Sequence, residues 1–446
     1  MSDEWAVVSD LPKQLFNSLK THHSLLTTNY LTIFTKPIIN LNQKNTMQIN
    51  RKQLFEASCL ALLVTGLSFG IRAGILDKLG AEFALDKGQL AAITATAFWG
   101  FPLAVVIGGM IVDIIGMKRL LVLAFIFYLL GIVLTIFASG YWTLFLSTLM
   151  VGLANGTVEA ACNPLVAGLY TDNKATKLNH FHLWFPGGIV IGSVVVYLLN
   201  MMGLSWQIQV GAMLIPTVIY GFLFSKLDFP VTERVASGVS YGGMYKALLN
   251  PLFIFMFICM FGTAITELFT AQWIAILLKK VSDNALLLLT LETGIMVLGR
   301  AFAKPVLKKI TPQSLLLISA MLAALGLYMF TTVNGPMLYL AAIIFGMGVC
   351  FFWPTMLGFV NTNIPATGAL GLNLMGGAGM FAVSIFTIFM GGFYDRIVKE
   401  AGNDTTAGRQ VLQATLVIPV ILIVAFTGLV IYMRGRAKKS AAAVQA

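Results

Sequence analysis

Five ionisable side chains lie inside long apolar stretches of this 446-residue sequence, and they are its clearest candidates for chemistry. They are Arg72, Glu159, Glu267, Glu292 and Arg300. Placing a charged group at the centre of a bilayer costs about 3 kcal/mol on insertion scales, so each one needs a partner or a purpose. Three potential negative charges face two positive ones, which leaves one carboxylate without a counter-charge. Such a carboxylate favours its protonated form, as a proton-binding site requires.

Glu159 is the predicted proton-coupling residue, with Glu267 as a second candidate. Asn155, Glu159 and Asn163 recur every four residues, which places them within about 80 degrees of arc on one helix face. This polar stripe predicts a wall of a solute site in which both asparagines bind the solute. The alternative is that Glu159 only pairs with Arg72 as a structural bridge.

Four further side chains are candidates for solute binding. Gln272 can donate and accept hydrogen bonds with hydroxyl groups, and Trp273 can stack on the apolar face of a sugar. Trp353, which precedes Pro354, can line the same cavity, and Arg72 can bind a carboxylate in two-pronged fashion. Two alternatives stay open: tryptophans also mark membrane interfaces, and Trp353 can be a packing residue beside a kink.

The elements that must position these residues are membrane helices. Apolar residues make up 58% of the chain and charged residues 11%, and the mean hydropathy is +0.86. A bilayer-crossing helix needs about 20 apolar residues. The sequence predicts twelve such spans near 54–76, 89–111, 119–138, 142–165, 183–201, 205–225, 252–276, 284–303, 313–333, 336–357, 369–392 and 411–433. The predicted fold class is an all-α membrane protein.

The net charge of +11 does not indicate nucleic-acid binding, because the positive residues lie mainly in the loops on one side of the predicted membrane. Positive residues gather on one side of the predicted membrane. By the positive-inside rule this is the cytoplasmic side, so we expect both termini in the cytoplasm and the protein in the cytoplasmic (inner) membrane. These residues are Arg51, Lys52, Lys118, Arg119, Lys174, Lys177, Lys226, Arg234, Lys246, Lys304, Lys308, Lys309, Arg434, Arg436, Lys438 and Lys439.

Several classes of chemistry find no support in the sequence. The four cysteines, Cys59, Cys162, Cys259 and Cys350, all fall in predicted spans, so we expect neither a disulfide framework nor a metal site. No phosphate-binding glycine loop is present, and we expect no cofactor. The first 46 residues are polar and lack a cleavable signal, and translation from Met47 is an open alternative.

Two halves of the chain repeat each other's spacing. Gly156 stands eight residues before Pro164, and Gly346 stands eight before Pro354. The repeat predicts two pseudo-symmetric six-helix bundles, with Arg72 and Gln272 on opposite walls of one cavity. The predicted domains are a disordered cytoplasmic tail (1–50), the first bundle (51–225), a cytoplasmic linker (226–250), the second bundle (251–435) and a basic cytoplasmic tail (436–446).

The loop after the second span, GMIVDIIGMKR from Gly109 to Arg119, resembles the G-x-x-x-D-x-x-G-x-[RK]-[RK] signature of the major facilitator superfamily. The resemblance implies the twelve-helix plan and a gating role for Asp113, Gly116 and Arg119. Arg300 occupies the corresponding place in the second half, where we also expect a structural or gating role. The stretch GTVEAACNP around Glu159 is similar to the fucose:proton symporter branch, although Arg72 stands where that branch has a carboxylate.

We therefore expect a non-enzymatic secondary transporter that takes up a sugar or related small polar metabolite with protons by alternating access, working as a monomer in the lipid bilayer. One alternative is an organic-anion carrier of the same fold, for a hexuronate or another carboxylate, with Arg72 as its anion-binding residue. An alternative of another class is a solute sensor or assembly factor that does not transport. A membrane-embedded enzyme is the weakest alternative, because no nucleophile–base pair is present.

Overall fold

The computed structural model of the protein describes residues 49–85, 87–271, 274, 285–401 and 404–445. Within these ranges the chain is α-helical, with short 3₁₀ and π turns and no strand. The predicted all-α class is confirmed. The predicted tail before residue 49 and the candidate site residues Gln272 and Trp273 lie outside the described residues.

The membrane spans are numbered 1 to 12 in chain order. In the first half they are Arg51–Glu82 (span 1), Lys87–Ile115 (span 2), Met117–Ile136 (span 3), Tyr141–Leu169 (span 4), Lys174–His182 with Trp184–Met201 (span 5) and Trp206–Gly211 with Leu214–Lys226 (span 6). In the second half they are Pro251–Ala264 with Ile265–Phe269 (span 7), Ala285–Ala301 (span 8), Pro312–Thr332 (span 9), Met337–Val349 with Phe352–Asn363 (span 10), Gly368–Ala401 (span 11) and Asp404–Gln445 (span 12).

Length and hydropathy account for these helices. Eleven of them, within the described residues, are long and apolar enough to cross a membrane. The twelfth, span 8, covers only 17 described residues and carries both Glu292 and Arg300. Each predicted span coincides with an observed helix. Span 12 continues through residues 436–445, so the predicted basic tail is helical as far as Gln445.

Helix packing repeats with an offset of six spans, as the sequence repeat predicts. Span 1 packs on span 5, span 2 on span 4 and span 3 on span 6, and the pairs 7 and 11, 8 and 10, and 9 and 12 do the same. The two halves meet through span 2 against span 11 and span 5 against span 8, which are also equivalent pairs. The prediction of two pseudo-symmetric bundles is thereby confirmed.

Turn residues set the connections on one membrane face, called here the basic face because it carries Lys118, Lys174 and Lys308. Gly116 has φ +84° between spans 2 and 3, a left-handed conformation that favours glycine and permits the tight turn. Lys118 Nζ donates to the carbonyls of Ser225 and Leu227 at 2.9 Å, which ties the start of span 3 to the end of span 6.

The segment between the halves is partly helical. It holds the short helices Glu233–Ala236 and Tyr241–Leu248, the second capped by the Ser240 side chain, which accepts from the Gly243 amide at 3.0 Å. The predicted linker over 226–250 therefore contains ordered structure packed on the basic face.

Candidate functional site

Glu159 lies at the interface of the two halves. Its side chain is only 4% exposed on span 4. Glu159 Oε2 accepts a hydrogen bond from Asn163 Nδ2 at 3.1 Å and lies 4.0 Å from where a Cβ on Gly376 of span 11 would sit. A carboxylate of the first half thus faces the second half directly.

Asn163 connects Glu159 to a histidine of span 5. His182 is 2% exposed, and its Nε2 lies 2.9 Å from Asn163 Oδ1. Because Asn163 uses its amide group to donate to Glu159, its oxygen accepts, so His182 Nε2 is the donor. The order of donation is therefore His182 to Asn163 to Glu159. Sequence reasoning missed His182, since it borders an apolar run as many interfacial histidines do.

Arg300 is fully buried and donates three hydrogen bonds to three different spans. Nη2 bonds Glu267 Oε1 of span 7 at 2.7 Å, Nε bonds the Cys350 carbonyl of span 10 at 2.6 Å, and Nη1 bonds the His182 carbonyl of span 5 at 2.9 Å. The last bond crosses between the halves. Arg300 therefore holds span 7 and span 10 together and ties both to the first half.

Two equivalent prolines explain why backbone acceptors are available here. A proline in a helix leaves the carbonyl four residues earlier without its usual donor. Pro164 frees the Ala160 carbonyl, which accepts from Asn373 Nδ2 of span 11 at 3.0 Å. Pro354 likewise frees the Cys350 carbonyl, which accepts from Arg300. Each proline of the repeat thus supplies one acceptor to a side chain on another span.

Glu267 and Glu292 are neighbours in the second half. Glu267 lies in the π-helical turn Ile265–Phe269, a distortion that often marks functional positions, and only its Oε1 is bonded. Glu292 is completely buried, and neither of its oxygens has a hydrogen-bond partner among the described residues. The two carboxylates interact electrostatically. Arg300 pairs with Glu267 and not with Glu292.

Trp353 and Glu159 both lie against Gly376 of span 11. Its ring is 3.6 Å from the Cβ position of Gly376 and 2.9 Å from that of Gly379, so glycines make room for it. The indole Nε1 is buried and has no acceptor among the described residues. A buried donor without an acceptor costs about 1–3 kcal/mol, which a bound solute would recover. Of the solute-binding candidates, Asn163 bonds Glu159 directly, and Trp353 lies with Glu159 against Gly376.

Asn155 takes part in a separate network inside the first half. Its Oδ1 accepts from Tyr128 Oη at 2.6 Å, and its Nδ2 donates to Ser68 Oγ at 3.2 Å. Tyr128 Oη also lies 2.8 Å from Thr65 Oγ1. The polar stripe of span 4 is therefore divided. Glu159 faces the second half, Asn163 bonds Glu159 and His182 of span 5, and Asn155 bonds spans 1 and 3.

Arg72 lines a different cavity within the first half. The cavity is about 40 Å³, and its walls include Ser68, Thr135 and Thr148. The guanidinium Cζ lies 5.5 Å from the centre of the Phe69 ring. Arg72 forms no ion pair with Glu159, so the structural bridge considered as an alternative is absent between these two described residues.

Asp113 binds the linker at the basic face. The nearly fully buried carboxylate accepts from Arg234 Nε and from the Thr232 hydroxyl. Arg234 also lies 4.1 Å from the centre of the Tyr241 ring and packs on Gly368, at the start of span 11. Beside this contact, Glu233 pairs with Lys174 at 2.6 Å. The linker helix thus contacts both halves. Arg119 is exposed on the same face.

Hydrogen bonds between described residues of the two halves lie on the basic-face side of Glu159. They join Arg300 to the His182 carbonyl, Asn179 Nδ2 to Thr355 Oγ1 at 3.4 Å, and Asn373 to the carbonyl of Ala160, the residue after Glu159. Gly358 of span 10 also approaches Ala175 of span 5 to 2.8 Å from its Cβ position. The interface is therefore closed between the carboxylate site and the basic face.

These features define a polytopic membrane protein of two six-helix halves with a polar site between them. A family model described as Major Facilitator Superfamily matches residues 58–386. The chain therefore belongs to the major facilitator superfamily, which confirms the resemblance drawn from the loop after span 2.

The named relatives have low sequence identity to this chain. The chain is 26% identical over 164 residues to the facilitated glucose transporter member 10 of Danio rerio and 25% identical over 158 residues to a D-xylose transporter of Levilactobacillus brevis. These matches span only 32% and 35% of those two proteins, and about a third of this chain. A longer match, 27% over 334 residues, covers 69% of this chain and 79% of the 3-(3-hydroxy-phenyl)propionate transporter of Escherichia coli.

Solved structures show the same fold. The E. coli fucose:proton symporter superposes with a TM-score of 0.67 at 16% identity, over 83% of this chain and 98% of that one. A human organic anion transporter superposes with a TM-score of 0.65 at 12% identity, over 85% of this chain and all of that one. At these identities the likeness concerns the fold alone.

Proposed function

We propose that this protein is a secondary active transporter that takes up a sugar or a related small polar metabolite by proton symport, through alternating access. It works as a monomer in the cytoplasmic (inner) membrane with both termini in the cytoplasm, so the basic face is the cytoplasmic face. Protons and the solute are its only partners besides lipid.

One observation carries this proposal: a buried carboxylate and an unpaired indole donor meet between the two halves. Glu159 comes from span 4, and Trp353 comes from span 10. Tryptophan offers a sugar both a stacking face and a donor for hydroxyl groups. A site at the interface of two repeats can be opened to either side by rocking one half against the other.

Glu159 is the proposed coupling residue. Its hydrogen-bond partner is the neutral amide of Asn163, and this network leads on to His182. Loss of the proton would leave an ionised carboxylate in a low-dielectric interface, which is costly unless water or a donor enters. Opening of the interface would supply that water. Protonation and the change of access are linked in this way.

The contacts on the basic face form the proposed cytoplasmic gate. Arg300 joins the halves through His182, and Asp113 with Gly116 and Arg119 holds the loop on which the linker helix rests. In this conformation the solute site is closed to the cytoplasm. The glucose and xylose substrates for which two of the relatives are named support a sugar as solute.

An organic anion is the second candidate, and two observations favour it. Arg72 forms no hydrogen bond or ion pair with the described residues and lines a cavity, so its guanidinium is free for a carboxylate. A relative whose match covers 69% of this chain is named for 3-(3-hydroxy-phenyl)propionate, a carboxylate.

Transport assays in proteoliposomes distinguish the two candidate functions. Wild type, Glu159→Gln and Arg72→Met are offered hexoses, pentoses, hexuronates and small carboxylates, and internal pH is recorded together with uptake. Glu56→Gln is the matched control, because Glu56 is an exposed glutamate at the start of span 1. We expect a neutral sugar to acidify wild-type and Glu56→Gln vesicles, and Glu159→Gln to exchange that sugar without net proton entry.

Other outcomes would redirect the assignment. If only carboxylates are taken up, and Arg72→Met abolishes that uptake, the protein is an anion carrier and the sugar proposal is rejected. Saturable binding without flux for any solute would indicate a sensor. Full proton coupling in Glu159→Gln would show that another residue carries the proton.

A further inference from the structure

Glu292 is the one buried carboxylate in the described membrane core whose two oxygens both lack a hydrogen-bond donor. Its side chain has no solvent exposure, so water cannot replace the missing donors in this conformation. An ionised carboxylate in such a place costs several kcal/mol, whereas the protonated acid costs far less. Glu292 therefore carries a proton in this closed form.

The groups around Glu292 support the same assignment. On span 7, the Glu267 carboxylate interacts with it electrostatically, and a second negative charge beside Glu267 would be unfavourable. Arg300 on the same helix donates to Glu267 and to the carbonyls of Cys350 and His182, and forms no hydrogen bond with Glu292. His182 on span 5 donates to Asn163, and Cys350 on span 10 directs its thiol to the Met347 carbonyl at 3.3 Å.

The position of Glu292 in the fold gives it a route to water. Its backbone packs closely on span 10, where a Cβ on Gly346 would lie 3.0 Å from the Glu292 carbonyl oxygen. On its other side, span 8 lies against span 5 of the first half. Separation of the halves at the basic face breaks the Arg300–His182 bond and removes span 5 from span 8. Water then gains access to the neighbourhood of Glu292.

We propose that Glu292 is a second proton-binding site of the carrier, which holds its proton while the basic face is closed and gives it to water on that face when the halves separate. The O–H bond of the carboxylic acid breaks, the proton passes to water, and the carboxylate is stabilised by hydration. This inference rests on the proposed proton symport, which it extends from the first half to the second.

Glutamine at position 292 is the informative variant, because it copies the neutral acid in size and hydrogen-bonding capacity but cannot release a proton. We expect Glu292→Gln to keep solute exchange at equal pH, whereas accumulation driven by a pH gradient falls because one of the two proposed proton sites is gone. Glu56→Gln, carried through the same assays, should keep both activities. Glu292→Gln with undiminished pH-driven accumulation would overturn the proposal, since Glu292 would then be a permanently neutral packing group.

Infrared difference spectra test the proton itself, without any transported solute. The wild-type protein in lipid should show a carbonyl stretch of a protonated carboxylic acid that is missing from Glu292→Gln and retained by Glu292→Asp. That band should lose intensity as pH rises. Its absence, or a band that sodium rather than pH removes, would refute a proton site at Glu292. If proteoliposomes show no proton coupling yet the band titrates, the proposed symport fails while the proton site stands.

Discussion

Removal of the Arg300 side chain is the most direct test of the pairing between spans 7 and 8. Arg300→Met keeps most of the side-chain volume but leaves Glu267 buried without its cation. Removing one partner of a buried ion pair costs about 3–5 kcal/mol. Two carbonyls, those of Cys350 and His182, also lose a donor at about 1–3 kcal/mol each. Because neighbouring losses overlap, we expect a total of about 4–8 kcal/mol in the free energy of unfolding.

A double-mutant cycle separates these contributions. In Glu267→Gln the carboxylate is neutralised, so Arg300→Met in that background leaves only the two carbonyls unpaired. The second substitution should therefore cost less by about 2–4 kcal/mol than it does in wild type. Chemical unfolding in mixed micelles measures all four variants, with Lys309→Met as the exposed control that should change stability by less than about 0.5 kcal/mol. A coupling free energy below about 0.5 kcal/mol would refute the assigned ion pair.

Three single features of the fold each carry a further prediction. Pro354→Ala restores a backbone N–H that competes for the carbonyl used by Arg300, so solute exchange in proteoliposomes should slow. Gly66→Ala places a Cβ 2.2 Å from the Phe185 carbonyl oxygen and should lower stability by about 1–3 kcal/mol or more, whereas Gly187→Ala, with nothing within 4 Å, should not. In intact cells an impermeant maleimide should label Ser139→Cys but not Lys308→Cys, against the background of four buried native cysteines.

Each of these has a contrary result. Unchanged exchange in Pro354→Ala would mean that the freed carbonyl does not matter for the motion. Equal thermal midpoints for the two glycine variants, measured in the same detergent, would contradict the close packing of spans 1 and 5. Labelling of Lys308→Cys from outside would reverse the assigned topology.

The fold could be predicted from the sequence because the lipid bilayer restricts which backbone structures can cross it. Every backbone group in a lipid-exposed span must bond internally, so a long apolar run predicts a helix almost without regard to its neighbours. The internal repeat could also be predicted from sequence, because it includes glycines that helix packing requires. Gly156 allows close packing on the backbone of span 2, and Gly346 allows it on the backbone of span 8.

The contacts of the site were less accessible. Spacing on span 4 put Asn155, Glu159 and Asn163 on one face, but an arc of helix surface is wide enough to meet two different neighbours. Which neighbour each side chain meets depends on tertiary packing. The pairing of Glu267 with Arg300 joins positions 33 residues apart, and no local rule predicts it. His182 was missed for the same reason, since its partner lies 19 residues earlier on another span.

One signal in the sequence did point to the Arg300 site. A proline in an otherwise regular span frees the carbonyl four residues before it, and that carbonyl requires a donor from elsewhere. Pro354 thus marks Cys350 as an acceptor by its place in the sequence alone, and a buried arginine on a neighbouring span is a natural donor. The same reasoning at Pro164 leads to Ala160 and Asn373.

The excess of carboxylates over cations in the interface has an electrical consequence. Once Glu159 and Glu292 have released their protons at the basic face, the three carboxylates near Arg300 would give the empty carrier a negative core. Protons taken up with a neutral solute would bring it toward neutrality. A membrane potential of 100 mV is worth about 2.3 kcal/mol per charge that crosses the field. An inside-negative voltage would therefore act mainly on the return of the empty carrier, drawing its negative core outward, while the loaded carrier would cross almost unaffected. Turnover would then be voltage-sensitive in the unloaded half of the cycle.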